Sequence, residues 1–325
     1  MSHYSPIVAA LVTMLLTTLI LISKFNKGMQ DIPNERSLHE TPVPRIGGVA
    51  MMAGLLAGWA LMLTSLKWWI VVPLIGLFVV SLLDDIHSLP VKKRLAAHFA
   101  SAAILVIGSG LLTQQGPVIG LLVLLLTVWM TNLYNFMDGS DGLAGGMALF
   151  GFSVYGVAAL IGHNDTFAMM NFAIGAAALG FLYNNFHPAK VFMGDAGSIP
   201  LGFLASAMGL WGWQSGFWEA WFPLLVFSPF IVDATITLAK RTIRGAKITE
   251  AHREHNYQRL IQMGWSHGIV ALFEYGLMLG AGVSALAVLH EAFPWQVLAA
   301  WCGIYAILML VLDAAWKRFE RQNHA

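Results

Sequence analysis

Residues 118–143 read VIGLLVLLLTVWMTNLYNFMDGSDGL, an apolar run that passes directly into a polar cluster. Placing this many polar groups where an apolar helix meets water is costly, so we expect a functional site there. Carboxylate oxygens suit a hard cation such as Mg²⁺, amides give directional hydrogen bonds, and glycines let a phosphate approach the backbone. A simple polar turn between two helices needs only one or two such residues. The residues of the cluster are Asn132, Asn135, Asp138, Gly139, Asp141 and Gly142.

The composition of the whole chain is that of a membrane protein. Of its 325 residues 58% are apolar and 11% are charged, and the mean hydropathy is +0.69. Soluble domains carry about 25% charged residues. The sequence therefore predicts an all-α, polytopic membrane helical bundle that forms a single domain over residues 1–325. The net charge of +1 points to no acidic partner, so nucleic acid is not expected.

Apolar runs near the length of a membrane-spanning helix, about 20 residues, occur about eleven times. All Lys and Arg residues except Lys67 fall in one alternate set of the connecting segments. By the positive-inside rule this set is cytoplasmic, which places the N-terminus outside and the C-terminus inside. The predicted spans are roughly 5–24, 46–65, 68–83, 96–113, 117–135, 143–162, 167–184, 198–214, 219–239, 268–290 and 294–315.

Two further acidic motifs lie on the predicted cytoplasmic side. Asp84 and Asp85 end the third span, where they act as a metal ligand or a base, or else form a charge pair at a helix end. A Mg²⁺ ion, or the cations Lys92, Lys93 and Arg94, would keep both carboxylates ionised. Asp195 stands between two glycines before the eighth span, as a metal ligand or in a capping turn with Ser198 as N-cap. We expect these carboxylates to converge with Asp138 and Asp141.

The longest predicted cytoplasmic segment, 240–267, carries His252, Arg253 and His255. If the segment is helical, the two His residues share one face, where they suit phosphate oxygens or sugar hydroxyls. Zinc is a weaker alternative, because the chain has one cysteine and the spacing alone is not specific. Arg253 and Arg259 offer bidentate phosphate contacts. Arg45 is either a basic group at the entry to the second span or an interfacial anchor.

Three other residues stand out by their positions. Asp233 lies inside the ninth apolar run, where a buried carboxylate requires a partner. Phe192 precedes Asp195 by three residues and offers a ring on which a base can stack. Asn185 lies upstream in the same loop, and its amide is suited to reading the edge of a base.

These motifs resemble those of the bacterial polyprenyl-phosphate N-acetylhexosamine-1-phosphate transferases, glycosyltransferase family 4. The resemblance runs from Pro42-Val-Pro-Arg45-Ile-Gly-Gly48 to His252-Arg-Glu-His255. It implies transfer of an N-acetyl-amino-sugar 1-phosphate from a UDP-sugar to undecaprenyl phosphate, with release of UMP. It also implies Mg²⁺ as cofactor (with Mn²⁺ a possible substitute), the bacterial inner membrane as location, an active site on its cytoplasmic face, and a possible homodimer.

The resemblance also implies roles for individual residues. Asp195 is expected to be the principal Mg²⁺ ligand, and Asp84, with Asp85 beside it, the base or orienting group for the lipid phosphate. Asn185 and Phe192 would receive uracil. The remaining implied contacts, to the pyrophosphate, the metal shell or the sugar, are those of Asn132, Asn135, Asp138, Asp141, His252, Arg253 and His255.

Alternatives within and outside the family remain. The peptidoglycan translocases, which make lipid I, have a Lys shortly after the paired Asp and a His-rich loop, whereas this chain has Ser88 and His-Arg-Glu-His. It resembles instead the subgroup of O-antigen or surface-polysaccharide assembly, whose sugars include GlcNAc, QuiNAc and FucNAc. A CDP-alcohol phosphotransferase would need an Arg after Asp138-Gly that is absent. A transporter or flippase would need polar groups at mid-membrane, and few occur there.

Overall fold

The computed structural model describes residues 2–23, 30–32, 38, 42–247 and 252–323. Within these ranges it contains thirteen α-helices and one antiparallel strand pair, β1 (Gln30–Asp31) with β2 (Val43–Pro44). The all-α bundle predicted from composition is therefore confirmed. The helices are α1 (Ser5–Ile22), α2 (Gly47–Trp59), α3 (Trp68–His87), α4 (Val91–Gly108), α5 (Leu111–Phe136), α6 (Leu143–Ile161), α7 (Asp165–Asn185), α8 (Asp195–Gln214), α9 (Trp221–Val226), α10 (Ser228–Ile243), α11 (Asn256–Gln262), α12 (His267–Ala287) and α13 (Trp295–Asn323).

Each predicted span coincides with helix. A 3-10 helix over Ala60–Ser65 continues α2, and the ninth span is divided between α9 and α10 next to Pro229. Eight of the helical segments are long and apolar enough to cross a membrane. The other three positions are α4, which begins with Lys92, Lys93 and Arg94, α8, and the divided α9–α10 pair. The number of eleven crossings stays a prediction.

Helix α8 lies at the centre of the site and packs against α2, α3 and α5. Its contact with α5 is close because Gly202 faces the backbone of Met130, where an added Cβ would lie 2.6 Å from the Met130 carbonyl oxygen. Small residues of this kind let membrane helices approach closely. The packing fixes the start of α8, and therefore Asp195, against the end of α5.

The antiparallel course of the helices brings the polar segments to one end of the bundle. The ends of α3, α5, α7 and α10 meet the starts of α4, α6, α8 and α12 there, with α11 beside them. The described Lys and Arg residues, Lys67 excepted, belong to this end. Three cations used in the charge argument, Lys24, Lys27 and Arg36, lie outside the described residues.

Candidate active site

Two adjoining cavities open at the polar end of the bundle. The larger, of about 1000 Å³, has an acidic part and an apolar part formed by α4, α5 and α10. The smaller, of about 290 Å³, is mostly polar. The predicted site residues that line the larger cavity are Arg45, Asp84, Asp85, Asn132, Asn135, Asp138, Asp195, His252 and His255. Those that line the smaller one are Arg45, Asn135, Asp138, Asp141, Asn185, Phe192 and Asp195.

The adjacent carboxylates of Asp84 and Asp85 have different partners. Asp84 accepts hydrogen bonds from the Leu89 amide at 2.5 Å and from Arg94 Nη1 at 2.9 Å. Asp85 accepts from the backbone N–H groups of Asp195 at 3.1 Å and Ala196 at 2.9 Å, so it caps helix α8 from outside. Of the predicted counter-charges Lys92, Lys93 and Arg94, it is Arg94 that pairs with Asp84. Asp85 is instead bound by the backbone N–H groups at the start of α8.

Asp195 is fixed from two sides. Asn135 Nδ2 donates to Asp195 Oδ1 at 2.8 Å and to Ser198 Oγ at 3.0 Å, and Arg94 Nη1 lies 3.4 Å from Asp195 Oδ2. The alternative in which Ser198 is the N-cap is wrong, because Ser198 lies inside α8 and donates to the Gly194 carbonyl. The cap position is Gly194, whose φ of +70° favours glycine.

Asp138 lines both cavities, and its carboxylate is available. Among the described residues, no donor hydrogen-bonds to its side chain and no cation lies within 4.0 Å of it. Burial, followed by the charges of Asp195 and Asp85, raises the pKa of Asp138 well above its usual value. A carboxylate in this position is stabilised by a bound cation or by taking up a proton.

Asp141 and Asn185 organise the smaller cavity. Asp141 Oδ2 accepts from His187 Nδ1 at 2.8 Å and from the Ala189 amide at 3.1 Å. Asn185 accepts from the Gly142 amide at 3.0 Å and donates to the Val191 carbonyl at 2.9 Å. Both amide atoms of Asn185 therefore bond to backbone, so this side chain holds the loop that lines the smaller cavity. The expected convergence holds for four carboxylates at the larger cavity, with Asp141 at the smaller one.

Asn132 and Phe192 are held by local contacts. Asn132 Nδ2 donates to the Val128 carbonyl at 2.7 Å within α5, and its side chain also bonds to His98. The Phe192 amide donates to the Pro44 carbonyl at 2.8 Å, and its own carbonyl accepts from Gly47 at 2.9 Å. The 44–48 segment thereby pairs with the chain before α8 and brings Arg45 to both cavities.

The His252–His255 segment is extended, so the expectation that both His residues share one helical face is wrong. Helix α11 begins one residue later because Asp233 caps it, accepting from the amides of Asn256 at 2.9 Å and Tyr257 at 3.2 Å. This gives Asp233 the partner that its burial requires. The rings of His252 and His255 nevertheless lie 5.0 Å apart, and both reach the larger cavity.

The other predicted phosphate ligands lie further away. Arg253 is not among the residues that line either cavity, and its carbonyl accepts from Gln262 at 2.8 Å. Arg259 pairs with Asp313 at 3.1 Å and lies over the Trp316 ring, so it braces α11 against α13. Its expected phosphate contact is not favoured by this arrangement.

Several residues that line the cavities were not predicted from the sequence. Tyr257 and Gln258 line the larger cavity from α11, next to the His252–His255 motif. His267 lines the smaller cavity from the first turn of α12. A signal for His267 was its place at the start of a predicted span on the side that holds the other polar residues.

The donor set fits Mg²⁺ when phosphates share the ion. Within the described part of the chain, no three His, Cys, Asp or Glu side chains form a complete metal site. Mg²⁺ is usually held by one or two carboxylates together with substrate phosphates and water. Asp138 and Asp195 line both cavities and supply such carboxylates, whereas Asp85 is bonded to backbone N–H groups at the start of α8. The chemistry of the cavity thus agrees with a cation bound jointly with substrate.

The fold and the cavities define an integral membrane protein with two adjoining polar cavities at one end of the helices, and comparisons with known proteins specify its family. The model of glycosyl transferase family 4 matches residues 67–212. A Bacillus subtilis protein named probable undecaprenyl-phosphate N-acetylglucosaminyl 1-phosphate transferase is 30% identical, over 94% of this chain and 89% of its own length.

Two further relatives extend the comparison. The decaprenyl-phosphate N-acetylglucosaminephosphotransferase of Mycolicibacterium smegmatis is 30% identical over 94% of this chain and 86% of its own length. A Listeria welshimeri phospho-N-acetylmuramoyl-pentapeptide-transferase is 32% identical over 51% of each chain. The chain belongs to glycosyl transferase family 4, as its motifs indicated.

Proposed function

We propose that this protein transfers an N-acetylhexosamine 1-phosphate from a UDP-sugar to undecaprenyl phosphate and releases UMP. The observation that carries the proposal is the meeting of two unlike cavities at Asp138 and Asp195. One cavity suits a phosphate on a long apolar chain, and the other suits a nucleotide. The names of the relatives that match over most of this chain support GlcNAc as donor sugar, with QuiNAc and FucNAc as alternatives.

The lipid substrate fits the larger cavity. Its apolar part is formed by Leu95, Phe99, Leu125, Trp129 and Leu238, which suit a prenyl chain, since burying apolar surface favours binding by about 25 cal/mol per Å². Its acidic part contains Arg45 and Arg94, whose guanidinium groups are suited to a phosphate. The polyprenyl phosphate would therefore enter with its charged end toward Asp138.

The nucleotide fits the smaller cavity. Phe192 supplies an aromatic face, and Ser140, Asp141 and Asn185 supply polar groups around it. A base stacked on such a ring gains about 1–3 kcal/mol. The pyrophosphate would then lie near Asp138 and Asp195, within reach of the α8 N-terminus, where backbone N–H groups favour anions.

In the proposed reaction, an oxygen of the lipid phosphate attacks the β-phosphorus of the UDP-sugar. The bond from the β-phosphorus to the oxygen that bridges it to the α-phosphate breaks, and UMP leaves. Mg²⁺, held by Asp195 together with the substrate phosphates, would offset the charge repulsion of the two phosphates and stabilise the leaving group. The base role expected for Asp84 passes to Asp138, because Asp84 is occupied by Leu89 and Arg94.

His252 and His255 are placed to contact the pyrophosphate or the sugar. Burial, followed by the neighbouring charges of His255 and Arg241, lowers the pKa of His252 to about 4. His252 is therefore neutral at pH 7 and would act as a hydrogen-bond partner rather than as a counter-charge. A two-step route through an aspartyl phosphate on Asp138 remains chemically possible, but direct attack needs no second displacement.

The arrangement of the two cavities favours this function over lipid I synthesis and over transport. Lipid I synthesis is disfavoured because Ser88 replaces the expected Lys in the wall of the larger cavity, and the peptidoglycan relative matches only half of this chain. A transporter is disfavoured because the polar residues gather at one end of the bundle. We place the active site on the cytoplasmic face of the bacterial inner membrane and the reaction at the start of O-antigen or other surface-polysaccharide assembly.

The test is Mg²⁺-dependent UMP release by the purified protein with undecaprenyl phosphate and a panel of UDP-GlcNAc, UDP-QuiNAc, UDP-FucNAc and UDP-GalNAc. We expect release with one donor, loss of release in Asp195→Asn, and unchanged release in a control variant at the other end of the bundle, Asp165→Asn. A folded protein that is silent with every donor would contradict the proposal. Full activity of Asp195→Asn would remove its role as metal ligand and leave the reaction intact.

A further inference from the structure

Two histidines, one in the loop before α8 and one at the start of α12, enclose the Asp141 carboxylate. His187 Nδ1 lies 2.8 Å from Asp141 Oδ2, and His267 Nδ1 lies 3.8 Å from Asp141 Oδ1. The two rings are nearly parallel, with 8° between their planes and 5.7 Å between their centroids. The segment between α5 and α6 is thereby connected to the loop before α8 and to the start of α12.

His267 also contacts the neighbouring residue of this segment. Its Nδ1 lies 3.0 Å from Ser140 Oγ and 3.5 Å from the Asp141 amide nitrogen, which donates to it. The ring is at the first position of α12, where Ser266 caps the helix by accepting from the Ile269 amide at 3.3 Å. A rigid helix end thus presents Nδ1 to Ser140 and Asp141 together.

Ser140 and Asp141 form one wall of the smaller cavity, and His267 lines the same cavity. Asn185, a further polar side chain of this cavity, has both amide atoms bonded to backbone. The position of the 140–141 segment therefore affects which polar groups a nucleotide meets. His267 connects this segment to α12, and Tyr275 of the same helix donates to the neighbouring Gly142 carbonyl at 2.7 Å.

We propose that His267 is a positioning residue for nucleotide binding, which it promotes by holding Ser140 and Asp141 in the wall of the smaller cavity. The inference rests on the proposed function, because it assigns the nucleotide to this cavity. It concerns affinity for the donor and leaves the acidic centre at Asp138 and the apolar part of the larger cavity unchanged. Loss of the Nδ1 contacts should weaken donor binding without altering the chemical step.

Three substitutions of His267 distinguish the effect of losing the Nδ1 contact from the effect of losing the ring itself. Asparagine places an amide near the position of Nδ1, glutamine places it near Nε2, and alanine removes both. His267→Ala and His267→Gln are expected to raise the KM for the UDP-sugar about tenfold, the loss of one or two hydrogen bonds. We expect kcat and the KM for undecaprenyl phosphate to stay within about twofold, and His267→Asn to stay close to the unchanged protein.

The matched control is His290→Ala, an exposed histidine at the other end of the bundle. Inhibition by UMP is measured in parallel and should weaken by the same factor as the donor KM in His267→Ala. An unchanged donor KM in His267→Ala, or a fall in kcat alone, would overturn the inference while the unchanged protein remains active. Silence of the unchanged protein with every donor would instead contradict the proposed function.

Discussion

The acidic residues of the site have different roles because their side chains have different partners. Asp84 is paired with Arg94, Asp85 caps α8, and Asp141 is held by His187. Asp138 has a free carboxylate among the described residues, whereas Asp195 accepts from Asn135 and lies 3.4 Å from Arg94. Identical side chains therefore serve different purposes, and the available carboxylate at the junction of the cavities carries the proposed chemistry.

Asp138→Asn tests this division. We expect kcat to fall by about 10²–10⁴, the usual contribution of a positioned acid or base. The Tm in detergent should not fall, because the amide removes a buried charge that neighbouring carboxylates repel. Activity within tenfold of the unchanged protein would contradict the assignment of Asp138, whereas a lowered Tm would make the loss of activity uninformative and require Asp138→Glu for comparison.

Glu254 gives a prediction about pH. Burial raises its pKa, but hydrogen bonds and charges of Arg244 and Arg241 outweigh burial and hold the pKa below the usual value of 4.5. Because the folded value is depressed, these pairs stabilise the fold above pH 4.5 and lose that effect as pH falls through the lower value. The difference in the free energy of unfolding between the unchanged protein and Glu254→Gln, up to about 1 kcal/mol at pH 7, should shrink as the pH falls below 4.5, and thermal unfolding across this pH range measures it.

The sequence predicted most of the residues at the site but not their pairings. Motif spacing places Asp85 and Asp195 at helix ends, yet only the packing of α3 on α8 shows that the first caps the second. His267 escaped notice because a lone histidine at a helix start has no distinctive spacing. Asn185 was expected to read a base, and its bonds to Gly142 and Val191 are contacts that sequence order does not reveal.

At the scale of elements, α11 is a short helix that depends on contacts from its neighbours. Seven residues are too few for a helix to be stable alone, so α11 relies on its cap and its packing. Asp233 of α10 caps it, and Arg259 connects it to Asp313 of α13. The helical prediction for 252–255 failed because this cap fixes the start of α11 at Asn256.

Asp233→Asn tests the importance of this cap. The carboxylate accepts from the Asn256 amide, the Asn256 side chain and the Tyr257 amide, and an asparagine has only one acceptor oxygen. We expect a loss of about 1–3 kcal/mol, seen as faster hydrogen exchange across Asn256–Gln262 and as weaker activity. Asp165→Asn at the exposed start of α7 is the matched control. Unchanged exchange in α11 would contradict the account.

At the scale of the whole molecule, hydropathy predicted the order of the helices because lipid forces each apolar segment into a helix. The same pattern could not predict how the helices pack, which gives the two cavities their shapes. The orientation in the membrane rests on the distribution of Lys and Arg, with Lys67 as the single exception.

Cysteine labelling tests the orientation. In a Cys302→Ser background, Gln115→Cys and Gln322→Cys place exposed thiols at opposite ends of the bundle. A membrane-impermeant maleimide added to intact spheroplasts should label Gln115→Cys, and it should label Gln322→Cys only after lysis. The reverse pattern would place the site outside, and labelling of both before lysis would contradict the predicted topology.

The central claim is that the sugar leaves the nucleotide together with one phosphate. To test this, UDP-GlcNAc labelled with ³²P at the β-phosphate is incubated with undecaprenyl phosphate, Mg²⁺ and the purified protein, and the position of the label is followed. If another donor of the panel is the active one, that donor is labelled instead. We expect the label to enter the organic phase with the lipid and unlabelled UMP to remain in water. Label recovered in water as UDP, with the sugar alone on the lipid, would contradict it.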